Sequence, residues 1–376
     1  PFFSLSELLR PPDAFGALPP GSRQQNMAKI NPLTVAAVLL VLMVMASTIF
    51  FFAVPDSLQN DSESLSITHL MNKVGYWGPP TSEVDWCELN HIHTIYVTEL
   101  FNSTTSFYYV FIALYAYYKH KEVLDFDSTS VRHQTLLLML AIVGFGSVAF
   151  HGTLQYYMQL LDEIPMIYLI LTAAWILTNR RSTEPTRGGM LIGGIYIGAC
   201  VLLTLVLLTT AQHSGIHNFF RGSGVVTFVV HLVYTFYSSS LAIAEVAKTD
   251  EKAAAYMSQL FVKGFAAICI ALVCWISDNI FCQTLLGLPL PFFLNLHAFG
   301  WHIGTAMSVY YMYCAMLVQR VNVIRSGDSH TCIVDNFSLF SVVQLKRNKS
   351  SGVLLLQPGQ HGQGSTAGSD DCMPEE

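Results

Sequence analysis

The chain has 376 residues, of which 52% are hydrophobic and only 12% are charged, and its formal net charge is −6. An ordinary soluble domain carries roughly 25% charged residues, so this composition excludes that class and indicates a membrane protein. We therefore expect a lipid bilayer around the chain and no nucleic-acid partner.

Eight near-continuous apolar stretches have the length of about 20 residues that crosses a hydrocarbon core of ~30 Å. They lie near residues 32–54, 94–118, 135–154, 160–178, 188–210, 224–244, 259–281 and 296–318. Short loops join the last seven stretches. The sequence thus predicts an all-α polytopic membrane protein, a seven-helix transmembrane bundle with an extra N-terminal hydrophobic segment.

The same pattern divides the chain into five parts. Residues 1–31 are expected to be a polar leader, disordered or non-native, and residues 32–54 a signal anchor or a signal peptide, with the uncleaved anchor favoured. Residues 55–93 then form a lumenal segment and 94–320 the seven-transmembrane domain. Residues 321–376 are polar and poor in aromatic side chains, so we expect a mostly disordered cytosolic tail.

The orientation follows from the short loops, because cytoplasmic loops carry the excess of Lys and Arg. These residues concentrate in the loops near 119–133, 179–187 and 245–258 and after the last span, whereas the intervening loops have almost none. The C-terminus is then cytosolic. Cys87 and Cys282 both fall on the lumenal, oxidising side, where we expect a disulfide between them.

Ionisable and polar residues inside membrane spans are rare and mark functional sites. The predicted topology brings several of them to the lumenal end of the bundle: Glu99, Ser147, His151, Asp162, Asp278, His297 and His302. Three neutral imidazoles with carboxylates nearby suit a catalytic Zn²⁺. The alternative is three separately hydrogen-bonded core histidines, which would not be expected to collect at one face.

A second polar cluster is the segment DWCELNHIHTIYVTEL, residues 85–100. Asp85, Glu88, Asn90 and Glu99 offer hard oxygen donors, which fit Ca²⁺ with its 6–8 oxygen ligands. The spacing is not that of an EF-hand, and a solvated acidic surface is the alternative interpretation.

Six motifs occur in a fixed order: GYWGPPTSEVDWCELNH (75–91), TEL with Glu99 and then Asn102, GFGSVAFHGTL (144–154), QLLDEIPMIY (159–168), SDNIFC (277–282) and HAFGWHIGT (297–305). Together they resemble the alkaline ceramidases, seven-helix integral membrane amidases, over about residues 74–320. The resemblance implies a zinc-dependent, calcium-supported hydrolysis of ceramide or a related sphingolipid to a sphingoid base and a fatty acid. It also implies a membrane of the endoplasmic reticulum, the Golgi or the cell surface, with the active site toward the lumen.

The resemblance assigns roles to individual residues. It implies Zn²⁺ ligands at His151, His297 and His302, and catalytic roles for Ser147 and Asp162. It further implies Ca²⁺ ligands at Asp85, Trp86 through its backbone carbonyl, Glu88, Asn90 through its carbonyl, and Glu99. On this hypothesis Asp162 acts as general base and then general acid, and Ser147 donates a hydrogen bond to the tetrahedral oxyanion.

One motif departs from the family pattern, which spaces the last two histidines as H-x-x-x-H. His297 and His302 are five residues apart, so on a regular α-helix their side chains would diverge by about 140°. A π-bulge inserts one residue into a helix and would restore their convergence, with Gly300 as its site. Without such a bulge one ligand is lost.

Three other functions compete with the amidase. The progestin and adipoQ receptors share the seven-helix plan and a similar Ser/His/Asp/His set, but they lack the D-W-C-E-x-N loop. The GPI-remodelling lipid hydrolases would act on an ester. A non-catalytic relative is the third alternative, and the five-residue histidine spacing is its main support.

Overall fold

The computed structural model describes residues 74–125, 130–182, 186–286 and 295–325, together with the short segments 332–334, 342–344, 347–348 and 353–354. The predicted leader 1–31, the hydrophobic segment 32–54 and the first part of the lumenal segment lie outside the described residues.

Seven long helices run through the described part of the chain, with two short helices and one π-helical segment between them. In chain order they are α1 (Leu100–Lys119), α2 (Lys121–Asp125), α3 (Val131–Thr153), α4 (Tyr156–Thr178), α5 (Arg187–Thr209), α6 (Gly215–Val246), α7 (Glu251–Ile280), α8 (Cys282–Leu286), the π-helix His297–His302 and α9 (Ile303–Arg325).

Five of these helices, α3 to α7, are long and apolar enough to cross a bilayer, judged by length and composition. Helices α1 and α9, of 20 and 23 residues, pack with α3, α4, α6 and α7 in one core. Large apolar side chains remain exposed on the outer helices, among them Leu191, Ile195 and Ile197 of α5. Such a surface suits lipid, and the prediction of an all-α polytopic membrane protein is confirmed.

Several helices begin away from the expected positions because polar groups set their ends. Helix α6 starts at Gly215 after the Ser214 hydroxyl accepts a hydrogen bond from the His217 N–H, and α7 starts after Asp250 caps the Ala253 N–H. Polar first turns of this kind are invisible to a search for apolar runs. Helix α1 starts later than expected, at Leu100, where the preceding loop ends.

The described parts of the tail form four short strands. β1 (Cys332–Val334) pairs antiparallel with β2 (Val342–Gln344), and β3 (Arg347–Asn348) pairs antiparallel with β4 (Val353–Leu354). Val343 of β2 is fully buried in the main core of the bundle. This part of the tail therefore packs on the helices.

Cys87 and Cys282 form a disulfide with their Cα atoms 5.3 Å apart. It joins the loop before α1 to the start of α8, across 195 residues of sequence. The loop is thereby held on the end of the bundle where α3 and α7 finish.

Candidate active site

Three buried histidines converge at one end of the bundle. His151 lies in the last turn of α3, and His297 and His302 are the first and last residues of the π-helix. One ring nitrogen from each lies within 4.8 Å of the others, and the ring centroids are 4.7 to 5.3 Å apart. Helices distant in sequence thus bring three imidazoles to a single point.

The π-helix explains how ligands five residues apart can converge. A π turn closes between residues i and i+5, so His297 and His302 lie on the same face, whereas an α-helix would separate them. Asn295 precedes the π-helix, and its side-chain oxygen accepts a hydrogen bond from the Ala298 N–H at 2.8 Å. The segment then continues directly into α9.

Two of the rings are oriented by partners on α1 and the residue before it. The Nδ1 atom of His151 lies 2.5 Å from the Glu99 carboxylate, and with Glu99 ionised this nitrogen carries the proton. The Nδ1 atom of His302 lies 2.8 Å from the Thr105 hydroxyl, which itself donates to the Phe101 carbonyl. In each of these two rings the lone pair of Nε2 is then left for a metal ion, as in metal-bound histidines.

The buried ring nitrogens of the histidine cluster fit a bound metal ion. Nε2 of His151 and Nδ1 of His297 are buried and have no hydrogen-bond partner among the described residues. Buried nitrogen atoms of this kind cost free energy unless something binds them. Three neutral imidazoles in a closed pocket are a donor set that suits Zn²⁺.

The third ring, His297, is held by the loop before α1 and by α7. Trp86 stacks on it with ring centroids 3.8 Å apart and an angle of 23° between the planes. One carboxylate oxygen of Asp278 in α7 accepts a hydrogen bond from the backbone N–H of His297 at 3.3 Å. The other accepts a hydrogen bond from the backbone N–H of Cys87 at 3.1 Å. One buried carboxylate therefore fixes both the ligand segment and the disulfide-bonded loop.

Ser147 and Asp162 meet where α3 and α4 approach most closely. A Cβ atom added at Gly146 would lie 2.2 Å from the Leu161 carbonyl oxygen, so only glycine allows this approach. The Ser147 hydroxyl interacts with the Asp162 carboxyl group, and it accepts a hydrogen bond from Ser106 at 2.9 Å. Ser147 is one helical turn before His151, which puts the pair on the face that carries the cluster.

The oxygen-rich loop is organised by the start of α1. Both oxygens of Glu88 accept hydrogen bonds, from the N–H groups of Phe101 and Asn102 at 2.7 and 2.8 Å and from the Asn295 amide at 2.9 Å. Glu88 thus caps α1, which explains why the helix begins there. Burial raises the pKa of Glu88.

Asp85 and Glu99 are the two carboxylates of this loop that face each other. Asp85 is exposed as a residue; desolvation of its carboxyl group, followed by the charge of Glu99, raises the pKa of Asp85 to about 9. Glu99 is fully buried and also accepts from the Trp86 N–H at 3.1 Å. Two carboxylates held this close are the arrangement that a divalent cation relieves.

Sequence reasoning assigned no role to the residues that support the site from α1, although Asn102 belongs to one of the motifs. Asn102 donates to Glu99 at 2.9 Å, Thr105 contacts His302, and Ser106 contacts Ser147. They are spaced i, i+3 and i+4 and therefore form one polar stripe on an otherwise apolar helix. That stripe is the sequence signal from which they could have been found.

An apolar cavity inside the bundle reaches the same region. Tyr109, Trp301 and Thr305 line it near the histidine cluster. Away from the cluster it is lined by side chains of α3, α4, α6, α7 and α9, including Leu140, Leu169, Phe236, Ile268 and Met316. Among its lining atoms only a few are polar, so the cavity suits a hydrocarbon chain.

Comparisons with known proteins agree with these features. The family model described as "Ceramidase" matches residues 78–341, more than half of the chain. The chain is 29% identical over 268 residues to "Alkaline ceramidase YPC1" of Saccharomyces cerevisiae, which covers 66% of this chain and 79% of that protein. It is also 29% identical over 251 residues to "Alkaline ceramidase 3" of Mus musculus, covering 64% and 84% respectively.

Proposed function

The chain belongs to the ceramidase family, a family of hydrolases, and from that premise we propose that His151, His297 and His302 hold a zinc ion for hydrolysis of ceramide. The observation that carries the zinc proposal is the group of three buried imidazoles within 4.8 Å of one another. Two of them have a buried ring nitrogen without a hydrogen-bond partner in the part of the chain that the structure describes.

The chemistry divides between the ion and the side chains around it. When bound, zinc supplies Lewis-acid polarisation of the amide carbonyl and a water molecule of lowered pKa. Glu99 and Thr105 hold two of the imidazoles in the tautomer that presents Nε2. Trp86 and Asp278 hold the third by stacking and by a backbone hydrogen bond.

Asp162 and Ser147 perform the proton transfer and the charge stabilisation. Asp162 accepts a proton from the attacking water and later returns it to the nitrogen of the leaving amine, so the sphingoid base departs neutral. While Asp162 is ionised, it accepts the Ser147 O–H. Once Asp162 is protonated, the Ser147 O–H can turn to the oxyanion of the tetrahedral intermediate.

A serine ester is disfavoured because no histidine remains to activate Ser147. Among the described residues, Ser147 interacts with Ser106 and Asp162, and the three nearby imidazoles belong to the metal cluster. A nucleophilic serine requires a base within hydrogen-bond reach of its hydroxyl. Asp162 does not count as that base, because in the proposed mechanism it accepts the proton of the attacking water.

The substrate class is supported by the apolar cavity. A ceramide carries two long alkyl chains, and its amide lies at the depth where the chains begin. The cavity starts beside Tyr109 and Trp301 and continues into the bundle, so it can take one chain while the amide stays at the cluster. We assign this cavity to the acyl or sphingoid chain.

We also propose that calcium binds the loop before α1. Asp85 and Glu99 would supply carboxylate oxygens, Trp86 and Asn90 their backbone carbonyls, and Glu88 the remaining lone pairs of its capping carboxylate. The role is structural, because the same loop carries Trp86, which stacks on His297. Calcium would therefore steady a zinc ligand.

The proposed orientation puts the active site toward the lumen of the endoplasmic reticulum or Golgi, with the C-terminus in the cytosol. The Cys87–Cys282 disulfide lies at the end of the bundle that carries the cluster, and disulfides form in oxidising compartments. The cell surface shares this topology and is the third membrane to test.

The test is hydrolysis of a long-chain ceramide by the purified full chain in detergent. Fatty acid and sphingoid base are quantified with and without a zinc chelator, and zinc is measured in the same sample. We expect about one zinc per chain and chelator-sensitive release of both products in equal amounts. Zinc without turnover would favour the receptor alternative.

His302→Ala should lose both zinc and turnover. His231→Ala is its matched control, because His231 lies in α6 and its Nδ1 bonds the Thr227 carbonyl of its own helix. Equal losses in the two variants would show that the effect is not specific to the cluster.

A further inference from the structure

Gly300 lies within the π-helix at a point where the backbone almost touches α7. A Cβ atom added at Gly300 would lie 2.4 Å from both the Cβ and the Sγ of Cys274. Non-bonded carbon atoms pack at about 3.5–4.0 Å, and a Cβ atom is fixed to the backbone, so it cannot swing aside. No residue larger than glycine fits here without moving the π-helix or α7.

The contact continues one turn further along the chain. A Cβ atom at Gly304 would lie 2.9 Å from the Ala271 Cβ and 3.1 Å from the Ala267 carbonyl oxygen. Gly300 and Gly304 are four residues apart, as are Ala267 and Ala271, so two small-residue faces meet directly. Such faces let membrane helices approach to backbone contact.

Helix α7 also holds the beginning of the same segment. Asp278 is four residues after Cys274 and therefore on the same face of α7, and it accepts from the His297 N–H at 3.3 Å. The π-helix is thus fixed to α7 at His297 by a hydrogen bond and at Gly300 by close packing. His302, at its other end, is held from α1 by Thr105.

We propose that Gly300 is a positioning residue, whose contact with Cys274 fixes the π-helical register in which His297 and His302 face one ion. The inference rests on the proposed zinc centre. The extra residue between the histidines needs room, and the missing side chain of Gly300 provides it against α7. A side chain there would displace the segment and separate the two ligand nitrogens.

The test uses Gly300→Ala, Cys274→Gly and the double variant in the purified full chain. Cys274→Gly removes both atoms that the new Cβ would meet, and the next atom, the Cys274 Cα, is at the ordinary distance of 3.9 Å. Gly194→Ala is the matched control, since a Cβ atom at Gly194 would meet no atom of the described residues within 4 Å. Zinc affinity is measured by competition with a chelator, beside the Tm and the turnover of ceramide.

We expect Gly300→Ala to weaken zinc binding by about 10–100-fold, the range for lost support of a metal ligand. In the Cys274→Gly background the same substitution should change zinc affinity little, so the double variant should bind zinc like Cys274→Gly alone, while Gly194→Ala binds zinc like the wild type. If Gly300→Ala fails to fold, recovery of folding and zinc in the double variant supports the proposal equally.

Unchanged zinc affinity in Gly300→Ala would overturn the proposal and leave the zinc centre intact. A folded double variant that does not regain zinc would also overturn it, because the Cys274 contact would then not be the cause. A wild-type chain that binds no zinc would instead refute the zinc centre itself. The wild-type measurement separates this last outcome from the first two, in which the wild type binds zinc.

Discussion

Removing the hydroxyl of Thr105 tests whether α1 orients a zinc ligand. Thr105→Val keeps the shape of the side chain but deletes the oxygen that lies 2.8 Å from His302 Nδ1. The buried N–H of His302 then has no acceptor, which costs about 1–3 kcal/mol. If the ring responds by turning or changing tautomer, zinc binding weakens by about 10–100-fold, since each tenfold corresponds to about 1.4 kcal/mol.

The assay is chelator competition on the purified full chain, with the Tm measured at saturating and at zero zinc. Thr104→Val is the control, because Thr104 is the adjacent residue, is exposed, and makes a similar bond to the Phe101 carbonyl at 3.1 Å. The zinc-dependent gain in Tm should shrink in Thr105→Val alone. Equal zinc affinity in the two variants would refute the argument that Thr105 sets the tautomer of His302.

Other parts of the site lead to separate expectations. Asp162→Asn should lower kcat by about 10²–10⁴-fold with zinc content unchanged, and loss of the zinc as well would mean that Asp162 is structural. Ser147→Ala should lower kcat by about 10²–10³-fold with little change in KM, and an equal rise in KM would contradict the oxyanion role. Calcium removal should lower the Tm of the wild type but not that of Asp85→Asn, and a calcium response that survives in this variant would exclude Asp85 as a ligand.

The membrane helices could be predicted from the sequence because their apolar runs are long. Their ends could not, since Ser214 and Asp250 cap α6 and α7 through single hydrogen bonds that leave no trace in an average over 20 residues. The strands β1 and β2 were missed for a related reason. They have three residues each and depend on packing of Val343 against the bundle.

Some residues of the candidate site could likewise be predicted from the sequence, and others could not. His151, His297 and His302 could be grouped from topology alone, and the five-residue spacing pointed to the π-helix that the structure contains. The partners of these rings depend on which helices touch, so Thr105 was not found. Glu88 was assigned only as an oxygen donor for calcium, whereas its carboxylate also caps α1, a contact with residues 13 and 14 positions away.

Glu99 has a thermodynamic consequence, because it belongs to two sites at once. Its carboxylate faces Asp85 in the loop proposed for calcium and lies 2.5 Å from His151 in the cluster proposed for zinc. A group shared in this way makes the two binding equilibria linked. If calcium changes the dissociation constant of zinc by some factor, zinc must change the dissociation constant of calcium by the same factor. Measuring one of these factors therefore determines both.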